Sequence, residues 1–160
     1  AWAREHGFAL RLCAFGAEQG EQISACVEPA MCPLASSEAS VTGNLNQAWY
    51  EGAGCGTLRF GGQGAGRYPT AANVLRDVLA LREGTRYMLP DDCSDAAVCL
   101  KDAQRYYLRL PRTVNLPDWA REGQDAGEYF IAVTGPVPPQ AVYALASENK
   151  NVFFARIQKE

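Results

Sequence analysis

Long apolar runs are missing from this 160-residue sequence, and no stretch approaches the roughly 20 apolar residues that a bilayer-spanning helix needs. A cationic excess is missing too. Lys and Arg number 15 against 18 for Asp and Glu, a formal net charge of −3, which argues against nucleic-acid binding. His6 is the one histidine, and none of the six cysteines forms a Cys-x-x-Cys pair, so no metal-ligand spacing is present. No Gly-x-Ser-x-Gly elbow occurs, and a serine or cysteine nucleophile would lack a suitably placed histidine base. No catalytic residue is therefore assigned. Reduced thiols serving as small hydrophobes, as at Cys13 and Cys26, are the expectation, with a Cys93–Cys99 disulfide as the lesser alternative. Reduced thiols imply a cytoplasmic setting.

What is present suits one ordinary domain or two small ones, with 48% hydrophobic residues. Residues 1–7 read as the last turns of a helix, with Gly7 at the left-handed C′ position and His6 near the negative helix pole. No N-cap precedes that turn, so the sequence reads as a portion of a longer chain. Residues 8–15 and 23–27 alternate in polarity and predict neighbouring antiparallel strands, with Ile23, Ala25 and Val27 inward. Residues 47–51 and 57–60 predict a second hairpin. A helix follows over 69–84, with Pro69 at its first position and Ala71, Val74, Val78 and Leu81 on a broad buried stripe. Residues 86–104 lack a period and read as a linker. Strands over 106–110, 128–134 and 152–157, a short helical turn within 116–123 and a helix over 138–148 complete the chain. Glu28, Glu38 and Glu51 read as isolated, solvated acids. The fold class is α+β, a mixed or antiparallel sheet with covering helices, followed by a small α+β unit.

Residues 61–66, Gly-Gly-Gln-Gly-Ala-Gly, form a glycine-rich loop that opens into the helix over 69–84. Glycines let backbone approach a ligand, and a helix N-terminus aims unpaired N–H groups and partial positive charge at the same point. Such a loop favours an anion or a polar cofactor edge. It is neither a Walker sequence, lacking the lysine, nor a Gly-x-Gly-x-x-Gly motif within a βαβ unit. On spacing alone the plain structural turn is the leading reading. Arg67 stands in the same position, meeting a phosphate or simply exposed in water.

A set of motifs in a fixed order adds to this reading. Residues 3–12 (Ala-Arg-Glu-His-Gly-Phe-Ala-Leu-Arg-Leu), 27–30 (Val-Glu-Pro-Ala), 41–48 (Val-Thr-Gly-Asn-Leu-Asn-Gln-Ala), 51–52 (Glu-Gly), 64–66 (Gly-Ala-Gly) and 69–71 (Pro-Thr-Ala) together resemble the C-terminal half of the catalytic region of homoserine dehydrogenases. The tail from Tyr106 looks like a shortened ACT-like, ferredoxin-like unit. The resemblance implies domains at 1–85 and 105–160 joined by a linker at 86–104. It also implies an oxidoreductase that uses NAD or NADP to interconvert L-aspartate 4-semialdehyde and L-homoserine, on the route to threonine and methionine. Gly66 matches the family glycine whose backbone lies against the nicotinamide cofactor, and Gly64 and Ala65 are its neighbours in that site. The family's substrate-binding Asp-x-x-x-Lys segment and its Rossmann fingerprint are not in the sequence. A chain of this content is expected to be inactive alone, to need a Rossmann domain as partner, and to form a dimer through its sheet.

In ACT domains an Asp-x-Pro-Gly turn meets the ligand. Here the corresponding residues are Asn115-Leu116-Pro117-Asp118, with Asp118 where glycine would admit an amino acid. Two alternatives stand beside the dehydrogenase reading: a regulatory module binding an amino-acid effector, and a purely structural dimerisation piece.

Overall fold

The structure, a computed structural model, describes residues 2–20, 22–85, 97–98, 102–120 and 123–158. It divides into two compact units, residues 1–39 with 96–160, and residues 40–95. The first grouping crosses the expected boundary at residue 85, because the N-terminal hairpin and the C-terminal tail share one sheet. Most of the 86–104 linker, and the Cys93–Cys99 pair, lie outside the described residues.

The first unit opens with helix α1 (Trp2–Glu5) and strands β1 (Phe8–Gln19) and β2 (Gln22–Pro33). Gly7 closes α1 at φ +80°, the left-handed geometry that glycine adopts without a Cβ penalty. His6 Nδ1 lies 2.9 Å from the Trp2 carbonyl and its ring stacks on Trp2 at 3.9 Å. β1 and β2 pair antiparallel from Phe8↔Pro33 to Gln19↔Gln22. Strands β5 (Ala97–Val98), β6 (Tyr106–Pro111), β7 (Gly123–Ala126), β8 (Tyr129–Val133) and β9 (Phe153–Ile157) complete the sheet, in the order β1-β2-β9-β6-β8-β7 with β5 also on β2. β9 runs parallel to β2 through Ala30↔Arg156 and Met31↔Ile157, and antiparallel to β6. Helix α3 (Pro139–Glu148) lies between β8 and β9 in sequence, and a single 3-10 turn (Asp118–Ala120) between β6 and β7.

Both sheet faces carry apolar clusters. On one, Tyr106, Leu108 and Leu110 of β6 pack with Ala132 and with Val142 of α3. On the other, Met31, Tyr107 and Ala155 are covered by Trp2, Ala3 and Phe8. Full burial of Leu108, Leu110 and Val142 supplies the hydrophobic driving force for the tail. The buried Thr134 is satisfied, its Oγ1 accepting from Tyr106 N at 3.0 Å and donating to the Gly135 carbonyl at 2.7 Å.

Ile23, Ala25 and Val27, expected inward, are exposed instead, Val27 at 67%. Glu28, Ala30 and Cys32 on the alternate face of β2 are buried, and the Val27 face is covered only from Met31 onward. Side-chain apolarity chose the wrong face, because the parallel neighbour β9 arrives from more than a hundred residues away. The second strand of the tail, β7, also has no signal in the sequence, being four exposed residues.

The second unit begins at Ser40, the last residue of a 3-10 turn (Glu38–Ser40), and contains strands β3 (Leu45–Gly52) and β4 (Gly56–Gln63) and helix α2 (Arg67–Arg82). β3 and β4 form a hairpin closed by three residues, paired from Leu45↔Gln63 to Gly52↔Gly56. Gly61 and Gly62 thus belong to a strand, and the glycine turn proper is residues 64–66. α2 starts two residues before Pro69, which sits third in the helix rather than first. None of its residues is buried. Val74 and Val78 are 57% and 56% exposed and Leu81 is 77% exposed, so the expected buried stripe is an open apolar face.

Candidate functional site

The glycine turn sits between the end of β4 and the start of α2. Gly66 is the N-cap at φ +117°, ψ 155°, a conformation that a side chain at this position would strain. Thr70 N donates to the Gly66 carbonyl at 3.0 Å and begins the helical ladder. Upstream of it, the amides of Ala65, Gly66, Arg67 and Tyr68 have no hydrogen-bond acceptor among the described residues, and Pro69 has no N–H. The 16-residue helix behind them adds the positive end of its dipole. The turn is exposed throughout. Arg67 is exposed beside it, with its guanidinium 4.6 Å from the Tyr68 ring centroid, so it adds a cation within one residue of the turn.

Gly64 is constrained from a different side. A Cβ there would fall within 3 Å of the Asn46 side chain, which lies across the glycine. Gly64 N donates to the Asn44 carbonyl at 2.7 Å, extending the β3–β4 register one step beyond Leu45↔Gln63. The structure therefore brings Gly64, Ala65 and Gly66 together as a contiguous turn in which the Ala65 and Gly66 amides have no acceptor among the described residues. Such a turn can take an anionic or polar edge of a ligand without steric obstruction.

The first unit holds a second polar constellation. Glu28, expected to be solvated, is 1% exposed. Its Oε2 accepts from Tyr143 OH at 2.8 Å and from Tyr106 OH at 3.3 Å, and its Oε1 accepts from the Cys26 thiol at 3.8 Å. Arg156 Nη1 is 3.6 Å from Oε1, and the guanidinium rests on the Phe15 ring at 4.0 Å. Burial, together with the Glu28 carboxylate, holds both tyrosine hydroxyls well above their ordinary pKa. Beside Arg156 a cavity of about 120 Å³ is lined by Phe15, Ser24, Cys26, Asp102 and Gln104. Alternation on β2 places Glu28 on the same face as Ala30 and Cys32, but the partners come from β6, α3 and β9, which no local pattern ties to it.

Cys13, Cys26, Cys32 and Cys55 are free thiols. The neighbouring Cys32 thiol lowers the Cys13 pKa to about 7 against the opposing effect of burial, while Cys32 is raised. No group of His, Cys, Asp and Glu suited to a metal ion occurs among the described residues. No described helix is long and apolar enough to cross a membrane.

Sheet and helices together define an α+β protein with a glycine turn at a helix N-terminus. The homoserine dehydrogenase family profile matches residues 1–79, and over these residues the chain is similar to that family of oxidoreductases. It is 37% identical over 79 residues to the homoserine dehydrogenase of Lactococcus lactis, covering 49% of this chain and 18% of that protein. Over 86 residues it is 27% identical to that of Bacillus subtilis, covering 54% and 20%. In fold, it is similar to a homoserine dehydrogenase from Thiobacillus denitrificans with a TM-score of 0.70 at 22% identity, across 99% of this chain and 44% of that one. It is similar to S. aureus homoserine dehydrogenase with a TM-score of 0.60 at 16% identity, covering 99% and 43%. The chain thus spans less than half the length of the relatives it matches.

The tyrosine hydroxyls give this region a pH signature. Their folded pKa values lie above the unfolded value of about 10, so they contribute stability that is fully present below that pH and is lost as pH rises toward the folded values. The urea midpoint should fall above about pH 10, and less steeply in Tyr143→Phe, which removes one of the two ionisations. Equal slopes for the two proteins between pH 9 and 11.5 would contradict the assignment.

Proposed function

We propose that this chain works as part of an NAD(P)-dependent homoserine dehydrogenase, interconverting L-aspartate 4-semialdehyde and L-homoserine in threonine and methionine biosynthesis. The observation that carries the reading is the family match over residues 1–79, which encloses the whole glycine turn. The residues present fit a dinucleotide. Ala65 and Gly66 offer unpaired amides, Gly66 offers a face without a Cβ, and α2 adds its dipole. Gly64, Ala65 and Gly66 are the residues that would hold the cofactor edge. When bound, the nicotinamide gives or takes the hydride. This chain's part is to position it and to keep water from one side of it.

The main dinucleotide contacts belong to a Rossmann domain, which is the partner of the turn. No side chain of this chain is assigned to move the substrate proton, so the chain by itself is inactive. The exposed apolar face formed by Leu10, Leu12, Ala14 and Val27 supports a sheet-mediated homodimer in the cytoplasm.

A second reading concerns the tail. Its order β9-β6-β8-β7, with α3 on one face, supports an ACT-like, ferredoxin-like unit in which a 3-10 turn replaces the first helix. An amino-acid effector site is the functional form of that reading.

The purified chain should show no NAD(P)-dependent oxidation of homoserine, and turnover would refute its assigned role. In the natural full-length product of the gene, Gly66→Val should raise the dinucleotide KM by roughly tenfold or more, the scale of one or two lost backbone contacts. An unchanged KM would remove the turn from the cofactor site. Sedimentation equilibrium should give a dimer, and a monomer at micromolar concentration would exclude the sheet contact. Calorimetry with threonine, methionine and isoleucine decides the second reading: heat of binding supports an effector site, and its absence from all three leaves the tail structural.

A further inference from the structure

We propose that Asn44 is the positioning residue of the Gly64–Gly66 turn, setting the direction of its amides toward the dinucleotide. The inference rests on the cofactor reading above. Three observations converge on this one side chain and its carbonyl. The Asn44 carbonyl accepts from Gly64 N at 2.7 Å. Its Nδ2 donates to the Ala65 carbonyl at 2.8 Å. The same Nδ2 lies 3.6 Å from the point where a Cβ on Gly66 would stand.

Asn44 therefore touches all three residues of the turn from the β3 side. One bond holds the Gln63–Gly64 peptide unit at the start of the turn, and the other holds the Ala65–Gly66 unit that carries the free Gly66 amide. Holding the Ala65 carbonyl fixes the Ala65–Gly66 peptide plane, because C=O and N–H of one peptide unit point in opposite directions across a planar bond. With that carbonyl turned toward Asn44, the Gly66 N–H is turned away from the hairpin, outward. Without the side-chain bond, Gly66 at φ +117° has the conformational freedom to rotate that plane. Asn44 is exposed and lies outside β3, so the sheet does not require it. The residue type fits the task. A carboxamide supplies an N–H donor for the carbonyl on a side chain short enough to stay rigid, which aspartate cannot do for lack of a donor.

The test uses two readouts. In the chain as it stands, Asn44→Ala should lower the backbone order parameters of Ala65 and Gly66 from about 0.85 to below about 0.6 with the hairpin unaffected. In the full-length gene product, the same variant should raise the dinucleotide KM by roughly three- to tenfold, the equivalent of one hydrogen bond, with kcat and homoserine KM held within about twofold. Asn44→Gln, which retains the amide donor, should recover part of the affinity. Unchanged order parameters at Ala65 and Gly66 would overturn the inference. So would an unchanged dinucleotide KM in Asn44→Ala when Gly66→Val raises it, and the cofactor reading would then survive alone. An unchanged KM in Gly66→Val removes the cofactor reading and this inference with it.

Discussion

The parallel contact between β2 and β9 is the constraint on which the first unit depends. Two register pairs, Ala30↔Arg156 and Met31↔Ile157, join the N-terminal hairpin to the tail strands, and only a shared sheet lets either side bury its inner face. Glu28 lies two residues before this contact and is closed in by Tyr106, Tyr143 and Arg156. A carboxylate this deeply buried is tolerable only with several donors around it, and the loss of one partner would leave a charge without compensation. The cluster thus makes the association of hairpin and tail specific as well as apolar.

The glycine turn of the second unit has a different physical basis. Its geometry comes from local chemistry: a hairpin register that carries Asn44 opposite Gly64, a residue without Cβ at positive φ, and a helix that starts immediately after. Nothing in that list needs a hydrophobic core. The surroundings agree, for every residue from Gly64 to Arg67 is exposed. The turn thus keeps its shape while its Ala65 and Gly66 amides stay without an acceptor among the described residues.

Large apolar side chains are left open on both units. Leu12 and Val27 on the hairpin, and Val74, Val78 and Leu81 on α2, are more than half exposed. Contiguous apolar surface of this kind marks interaction faces in stable proteins. The strand and helix periodicities that produced these faces are real.

The sequence by itself determined the elements whose signals are local. Gly7 after α1, the alternation of β1 and β2, the turn of β3 and β4, Pro138–Pro139 at the start of α3 and the glycines before α2 are all legible there. The ordered motifs of residues 3–71 also carried the family, and the comparisons over residues 1–79 agree. Tertiary structure alone decided which face of each element is inside. Periodicity tells that a strand has two different faces, but the choice between Val27 and Glu28 was made by β9, β6 and α3, far away in sequence. The placing of Asn44 against Ala65 was likewise set by a contact across 21 residues, which spacing along the chain does not record.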